Sequence, residues 1–223
     1  MEVLKTFRHE FKYIIPYGDM LKLRMELEKV LTLDRGGPYL VRSLYFDTPE
    51  DEDYYAKQAG EMVRKKIRLR IYDINNDSAK MEIKGKYDIH QLKESLVIKK
   101  SDAKEIIKGN YECLLSMDND LAYRLHAYLQ SGYRPKVIIE YDRIAYITTT
   151  TTRITFDYNI KKSDDFNNFY SNNINYFELT NPNDVVLEVK FDRFLEPYIN
   201  KILEKYTSRY QSVSKYVMGR NVM

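Results

Sequence analysis

The 223-residue sequence predicts an α+β fold built mainly on antiparallel strands, with helices outside the strands and at the C-terminus. Three observations predict it. Short runs alternate charged and apolar residues, the period of two that gives a strand two chemically different faces. Short connections containing Asn, Asp and Gly join those runs in the manner of hairpins. Between and after them, apolar residues recur at helical spacing.

In chain order, a strand is predicted near residues 6–15. A helix follows over Asp19 to Leu33, with Met20, Leu23, Leu27, Val30 and Leu31 on one side and Asp19 as its cap. After a strand at 41–47, residues 64–98 read as a three-stranded meander. In it, Ile67-Arg68-Leu69-Arg70-Ile71-Tyr72 sets Arg68, Arg70 and Tyr72 on one face, and Met81-Glu82-Ile83-Lys84 sets Glu82 beside Lys84. Turns are expected at Asp73 to Ser78 and at Gly85 to Asp88. Helices are predicted over Ser101 to Leu115, opened by a serine cap, and over Asp118 to Gln130, which ends before Gly132. Strands at 136–147 and 152–160 meet at a hairpin tip, Thr148 to Thr152. Lys161 to Asn183, rich in Asn and Asp, reads as a long loop. Leu187-Glu188-Val189-Lys190-Phe191 is a further strand, and 194–206 with 208–219 form a helical tail. No repeat or linker divides the sequence, so one domain is expected over 1–223.

Composition narrows the function. With 36 basic and 33 acidic residues the net charge is only +3, too small for bulk attraction to nucleic acid or to a membrane surface. The one cysteine, Cys113, allows no internal disulfide framework. The first residues lack the apolar run of a signal peptide, and no stretch approaches a membrane span, so a cytoplasmic location is expected. The eight glycines form neither G-x-G-x-x-G nor a phosphate loop, and His9, His90 and His126 form no H-E-x-x-H.

What remains is charge repeated on one strand face: Arg8, Glu10 and Lys12; Arg68 and Arg70; Glu82 and Lys84; Lys93; Arg143; Arg153 and Asp157; Glu188 and Lys190. Cations outnumber anions. Two like charges about 4 Å apart repel by about 4 kcal/mol at an effective dielectric near 20, so converging faces of this kind need a polyanion. Guanidinium groups suit the two-pronged recognition of phosphate. Carboxylates in such a place repel phosphate unless they hold Mg²⁺ or Mn²⁺, for which Glu10 and Glu188 are the candidates.

Arg8-His9-Glu10-Phe11-Lys12-Tyr13, Ser43-Leu44-Tyr45-Phe46-Asp47-Thr48, Lys66 to Tyr72, Glu82-Ile83-Lys84, Glu140-Tyr141-Asp142-Arg143, Leu187 to Phe191 and Ser214-Lys215-Tyr216 occur in an order that resembles a VTC domain. This is the polyphosphate polymerase branch of the CYTH-like triphosphate tunnel metalloenzymes. The resemblance implies an antiparallel tunnel barrel of about eight strands with a C-terminal helical plug. It also implies phosphate contacts from Lys12, Arg68, Arg70, Lys84, Lys93, Arg143, Arg153 and Lys215, joined by Arg8, Lys190, Tyr141 and Ser214, and a divalent metal on Glu188.

Two positions depart from the family pattern. Hydrolytic members open with Glu-x-Glu-x-Lys, whereas Arg8 stands at the first of those glutamates; Ser212 stands where the eukaryotic polymerases carry a lysine. The first departure favours transfer of the ATP γ-phosphate to a polyphosphate chain, with Arg68, Arg70, Arg143, Arg153 and Lys84 doing the chemistry. The alternatives are a triphosphatase or nucleoside triphosphatase, and a non-catalytic polyphosphate-binding module. ATP and polyphosphate or triphosphate are the expected partners. Nothing in the sequence calls for nucleic acid, and a membrane-protein partner and the oligomeric state stay open. Tyr45, Tyr72 and Tyr216 are expected to pack, Asp47 to cap or turn the chain, and Arg42 is unassigned.

Overall fold

A computed structural model describes residues 8–87, 90–148, 151–207 and 211–221. It holds eight strands of five residues or more: β1 (Arg8–Pro16), β3 (Tyr39–Asp47), β5 (Ile67–Ile71), β6 (Ser78–Tyr87), β7 (His90–Lys99), β8 (Arg134–Ile147), β9 (Arg153–Ser163) and β11 (Asp184–Asp192). Three two-residue strands join them, β2 (Thr32–Leu33), β4 (Val63–Arg64) and β10 (Phe177–Glu178). The helices are α1 (Tyr17–Leu27), α2 (Glu52–Gln58), α3 (Lys100–Lys108), α4 (Asp120–Gln130), α5 (Pro197–Leu203) and α6 (Lys215–Asn221). Every strand pairing with a described register is antiparallel, so the expected α+β class is found. Hydrogen bonds do not close a barrel: among the described residues β1 pairs only with β11, and β7 only with β6.

The chain forms two compact units, each drawn from three stretches of sequence. The first comprises residues 1–40, 141–160 and 180–214. Its strands run β1-β11-β9-β8, with β2 on β8. The period of two sends Ile15 of β1, Val185, Leu187, Val189 and Phe191 of β11, Ile154 and Phe156 of β9 and Ile144 and Tyr146 of β8 to one face, where α1 and α5 cover them. Met20, Leu23 and Leu27 of α1 are fully buried there, as is Ile199 of α5. Burial of several such side chains contributes roughly 1.5–3 kcal/mol each.

The second unit comprises 41–140, 161–179 and 215–223. Its strands run β8-β3-β5-β6, with β4 and β7 both on β6 and β10 on β9. Leu44, Phe46, Ile67, Leu69, Ile71, Met81 and Ile83 face a core closed by Ala103 and Ile106 of α3 and by Leu121, Ala122, Leu125 and Leu129 of α4.

Several element boundaries differ from expectation for local reasons. α1 ends at Leu27, because Thr32 and Leu33 pair with Ile147 and Tyr146 instead of continuing the helix. Asp19 is not its cap; Pro16 stands there with no side-chain bond, and Asp19 binds Lys22 at 3.1 Å. α3 starts at Lys100 without a serine cap and stops at Gly109, whose φ of 98° is the left-handed conformation glycine tolerates. Asn119 caps α4, its side chain accepting from Leu121 N and Ala122 N. The helix α2 has no sequence expectation; the buried Asp47 carboxylate caps it from β3, accepting from Asp53 N and Tyr54 N at 3.0 Å each. The loop expected from Lys161 begins only after Ser163 and contains β10. Four expectations fall partly outside the described residues: the start of the first strand at 6–7, the end of the Gly85 to Asp88 turn with residue 89 after it, the centre of the Thr148 to Thr152 tip, and residues 208–210 of the tail.

Candidate active site

The face opposite each core is charged, and it is buried. In the first unit Glu188 is 5% exposed, Thr155 2% and Asp157 0%, which no solvated strand face would show. Register explains the grouping. Glu10 lies opposite Lys190 and Lys12 opposite Glu188 across β1 and β11, while Thr155 and Arg153 of β9 lie opposite Glu188 and Lys190. Direct cross-strand partners have their Cβ atoms about 5 Å apart, so these side chains meet.

Two ammonium groups bridge the two glutamates. Lys12 Nζ is 2.7 Å from Glu10 and 3.9 Å from Glu188; Lys190 Nζ is 2.9 Å from Glu188 and 3.7 Å from Glu10. Burial alone would lower the Lys12 pKa, but Glu188 and Glu10 outweigh it and hold the ammonium more firmly charged than an ordinary lysine. Lys12 also donates to the Val213 carbonyl at 3.2 Å, and its own carbonyl accepts from Gln211 N at 2.6 Å, which ties the segment before α6 to β1. Ser214 continues that segment.

Arg143 forks onto Asp157 at 2.6 and 2.7 Å and reaches Glu188 at 3.7 Å. Burial opposes its charge, yet Asp157 foremost, with Tyr141 and Glu188, raises its pKa well above that of a free guanidinium. Its Cζ lies 5.3 Å from the Tyr141 ring centre, so Tyr141 supports Arg143 with its ring. Arg153 turns to Asp34 at 2.6 Å and to the Tyr39 hydroxyl at 3.1 Å. Arg8 stands at the start of β1 opposite Asp192.

The second unit carries a separate group in which cations predominate. Glu82, fully buried, accepts from Arg68 at 2.7 Å, Lys93 at 2.6 Å and Ser95 at 3.2 Å. Burial would raise its pKa; Arg68, Arg70 and Lys93 overcome that and bring it down to about 2. Arg70 donates to Ser43 Oγ at 3.0 Å, and Arg68 to the Tyr45 hydroxyl at 3.3 Å. The same cations pull down two phenols that burial would push up: Tyr45 under Arg68 and Arg70, Tyr72 under Arg70. Lys84 lies opposite Lys93 across β6 and β7. Lys215, the first residue of α6, adds its charge to the field at Tyr45, while Tyr216 beside it stacks on Tyr45 at 5.0 Å and donates to the buried Asp47 carboxylate.

The sequence-predicted residues thus form two groups. Glu10, Lys12, Tyr141, Arg143, Arg153, Glu188 and Lys190 share one; Arg68, Arg70, Lys84, Lys93 and Lys215 share the other. The alternation pattern could have pointed to Thr155 and Ser43, which occupy the same parity as their charged neighbours. Asp34 and Tyr39 carry no such signal, since 119 and 114 positions separate them from Arg153.

A family model, the VTC domain, matches residues 7–223. The chain belongs to the VTC domain family. Comparison with curated proteins finds no match to this VTC domain. Solved structures share its fold. One is a Hippeastrum protein, a candidate adenylyl cyclase described as having a dominant triphosphatase activity; it is 16% identical with a TM-score of 0.58, over 95% of this chain and 94% of that one. A candidate adenylate cyclase from Vibrio parahaemolyticus is 14% identical, TM-score 0.53, over 96% and 97% of the two chains. Another from Bacillus halodurans is 13% identical, TM-score 0.52, over 89% and 88%. The VTC domain contains no helix, among its described residues, long and apolar enough to cross a membrane.

Proposed function

We propose that this VTC domain transfers the γ-phosphate of ATP to the end of a polyphosphate chain. The observation that carries the reading is the electrostatics around Glu82: one carboxylate faces Arg68, Arg70 and Lys93, and the surplus of positive charge lowers the pKa of the buried Tyr45 and the half-buried Tyr72. A strand face with that surplus attracts a polyanion, and its guanidinium forks fit phosphate oxygens.

A terminal chain phosphate is already an anionic nucleophile near neutral pH. Its oxygen forms a bond to the γ-phosphorus as the bond from that phosphorus to ADP breaks, and ADP leaves. Alignment and charge neutralisation, more than a base, carry such a reaction. Arg68 and Arg70 of the second unit, and Arg143 and Arg153 of the first, are each assigned to equatorial oxygens, and Lys84 to charge neutralisation. Lys12, Lys93, Lys190, Lys215 and Arg8 hold the chain, with hydroxyls from Tyr141 and Ser214.

The donor chemistry around Glu188 suits a divalent ion. Glu10 and Glu188 are hard oxygen donors, and two lysines already bridge them, as a cation between them requires. Among the described residues no three His, Cys, Asp or Glu side chains converge on one point. A Mg²⁺ or Mn²⁺ that keeps waters and substrate phosphates needs only one or two carboxylates. When bound it supplies charge neutralisation to the phosphates.

The triphosphatase activity printed for the Hippeastrum protein supports hydrolysis as the second reading. A hydrolase needs a group that activates water; Glu10 or Glu82 would orient it, and Glu82, at about 2 and held by three donors, is a weak base. Incubation with ATP and Mn²⁺, measuring ADP, free phosphate and chain product separately, decides between them. ADP matched by polyphosphate supports transfer; ADP matched by free phosphate supports hydrolysis. Polyphosphate binding without either product leaves a binding module.

A further inference from the structure

The Thr155 residue is 2% exposed, and its Oγ1 is buried without a hydrogen-bond partner among the described residues. Leaving a buried hydroxyl unpaired destabilises the fold, so its place needs a reason. It lies directly opposite Glu188 in the β9–β11 register, between Arg153 and Asp157 on its own strand. The surrounding groups are already committed. Asp157 takes the Arg143 fork, Arg153 takes Asp34, and the Glu188 oxygens meet Lys190, Lys12 and Arg143. A packing role alone would be met by valine, which has the same shape without the unpaired oxygen.

We propose that the Thr155 hydroxyl supplies an oxygen to the divalent-ion site of Glu188, directly or through a water on the ion. This rests on the metal assignment made above for Glu188. A hydroxyl is a hard, neutral oxygen donor of the kind Mg²⁺ and Mn²⁺ accept, and it adds a ligand without adding charge that would repel phosphate. The three carboxylates nearby are each held by cations, whereas the Thr155 hydroxyl has no hydrogen-bond partner among the described residues.

The test compares the full chain with Thr155→Val, Thr155→Ser and Glu188→Gln. Mn²⁺ binding without nucleotide is titrated by the electron paramagnetic resonance of the free ion. Melting is recorded without metal, and tripolyphosphate binding in chelator by calorimetry. Thr155→Val is expected to weaken Mn²⁺ binding about tenfold or more, to melt no lower than the parent, and to bind metal-free tripolyphosphate unchanged. Thr155→Ser is expected to keep Mn²⁺ binding near the parent. Parent-like Mn²⁺ binding by Thr155→Val overturns the proposal. So does a selective loss of metal-free tripolyphosphate binding, which would make the hydroxyl a phosphate donor, or a large drop in melting temperature, which would make it structural. If the parent binds no Mn²⁺, or Glu188→Gln binds it equally well, the divalent site itself falls.

Discussion

Arg143 and Asp157 face each other across neighbouring strands with two parallel hydrogen bonds, Nε to Oδ1 at 2.6 Å and Nη2 to Oδ2 at 2.7 Å. Asp157 is fully buried, so this pair cannot be replaced by water. Breaking a buried pair from one side costs more than the pair itself contributes, because the remaining charge stays desolvated.

Asp157→Asn is therefore expected to lower unfolding stability by about 3 kcal/mol at neutral pH, with Glu188, 3.7 Å from Arg143, keeping part of the charge balance. Denaturant titration of the two proteins measures it. A midpoint equal to the parent's would show that Arg143 does not depend on this fork.

Arg70→Lys conserves charge but loses the planar pair of donors. A phosphoryl group displaced by about 1 Å can lose roughly 100-fold in rate, so ADP release at saturating ATP should fall by a factor of that order. Lys22→Arg on α1 and Lys104→Arg on α3, outside both charged groups, should leave the rate unchanged. Equal rates for Arg70→Lys and the parent would remove Arg70 from the transferred phosphate.

Glu188→Gln keeps the shape of the side chain and removes its charge. Turnover that depends on Mn²⁺ should be lost while the circular dichroism spectrum is kept. Full activity at limiting Mn²⁺ would mean that the ion is held elsewhere.

Asp53 gives a pH signature distinct from the two charged groups. Burial raises its pKa from 3.8 to about 6, with Asp47 adding to the rise, against the opposing pull of Lys65 and a hydrogen bond from Tyr133. A carboxyl raised on folding stabilises the folded state fully below its unfolded pKa and loses that contribution as pH climbs through the folded value. Parent stability should thus drop by up to ~3 kcal/mol relative to Asp53→Asn between pH 4 and pH 7. Urea titrations at one-unit intervals test it; parallel curves would show that Asp53 ionises freely in the fold.

Parity along the strands was readable because the faces differ so sharply: Arg68 and Arg70 against Ile67, Leu69 and Ile71, or Glu188 and Lys190 against Leu187, Val189 and Phe191. The family resemblance ordered those strands, and the VTC match over 7–223 agrees with it. Partnerships were harder to see. Asp47 reads as a residue that caps or turns the chain, and it does cap α2, but nothing local announces that it also accepts from Tyr216, 169 positions away. Arg42 carries no pattern at all, although it is buried against Glu140 and donates to the carbonyls of Phe169 and Ser171. Bonds of this kind come from tertiary placement, which local spacing does not encode. The helix starts missed at Asp19 and Ser101 have the same origin: α1 follows Pro16 and α3 follows Lys99 directly at the ends of β1 and β7, with no side-chain cap at either.

The pairing of β1 with β11 also sets a clock. Pro16 and Asp184 are the pair closest in sequence, 168 positions apart, so the first strand has no partner until β11 has been synthesised. At ~5–20 residues per second that wait is on the order of ten seconds or more. Through it β1 is a bare edge, with His9, Phe11, Tyr13 and Ile15 on one side and the charges of Glu10 and Lys12 on the other. Charged residues on an unpaired edge discourage it from joining a second nascent chain. Glu10 and Lys12 would thereby guard the newborn polypeptide against aggregation well before any phosphate reaches them.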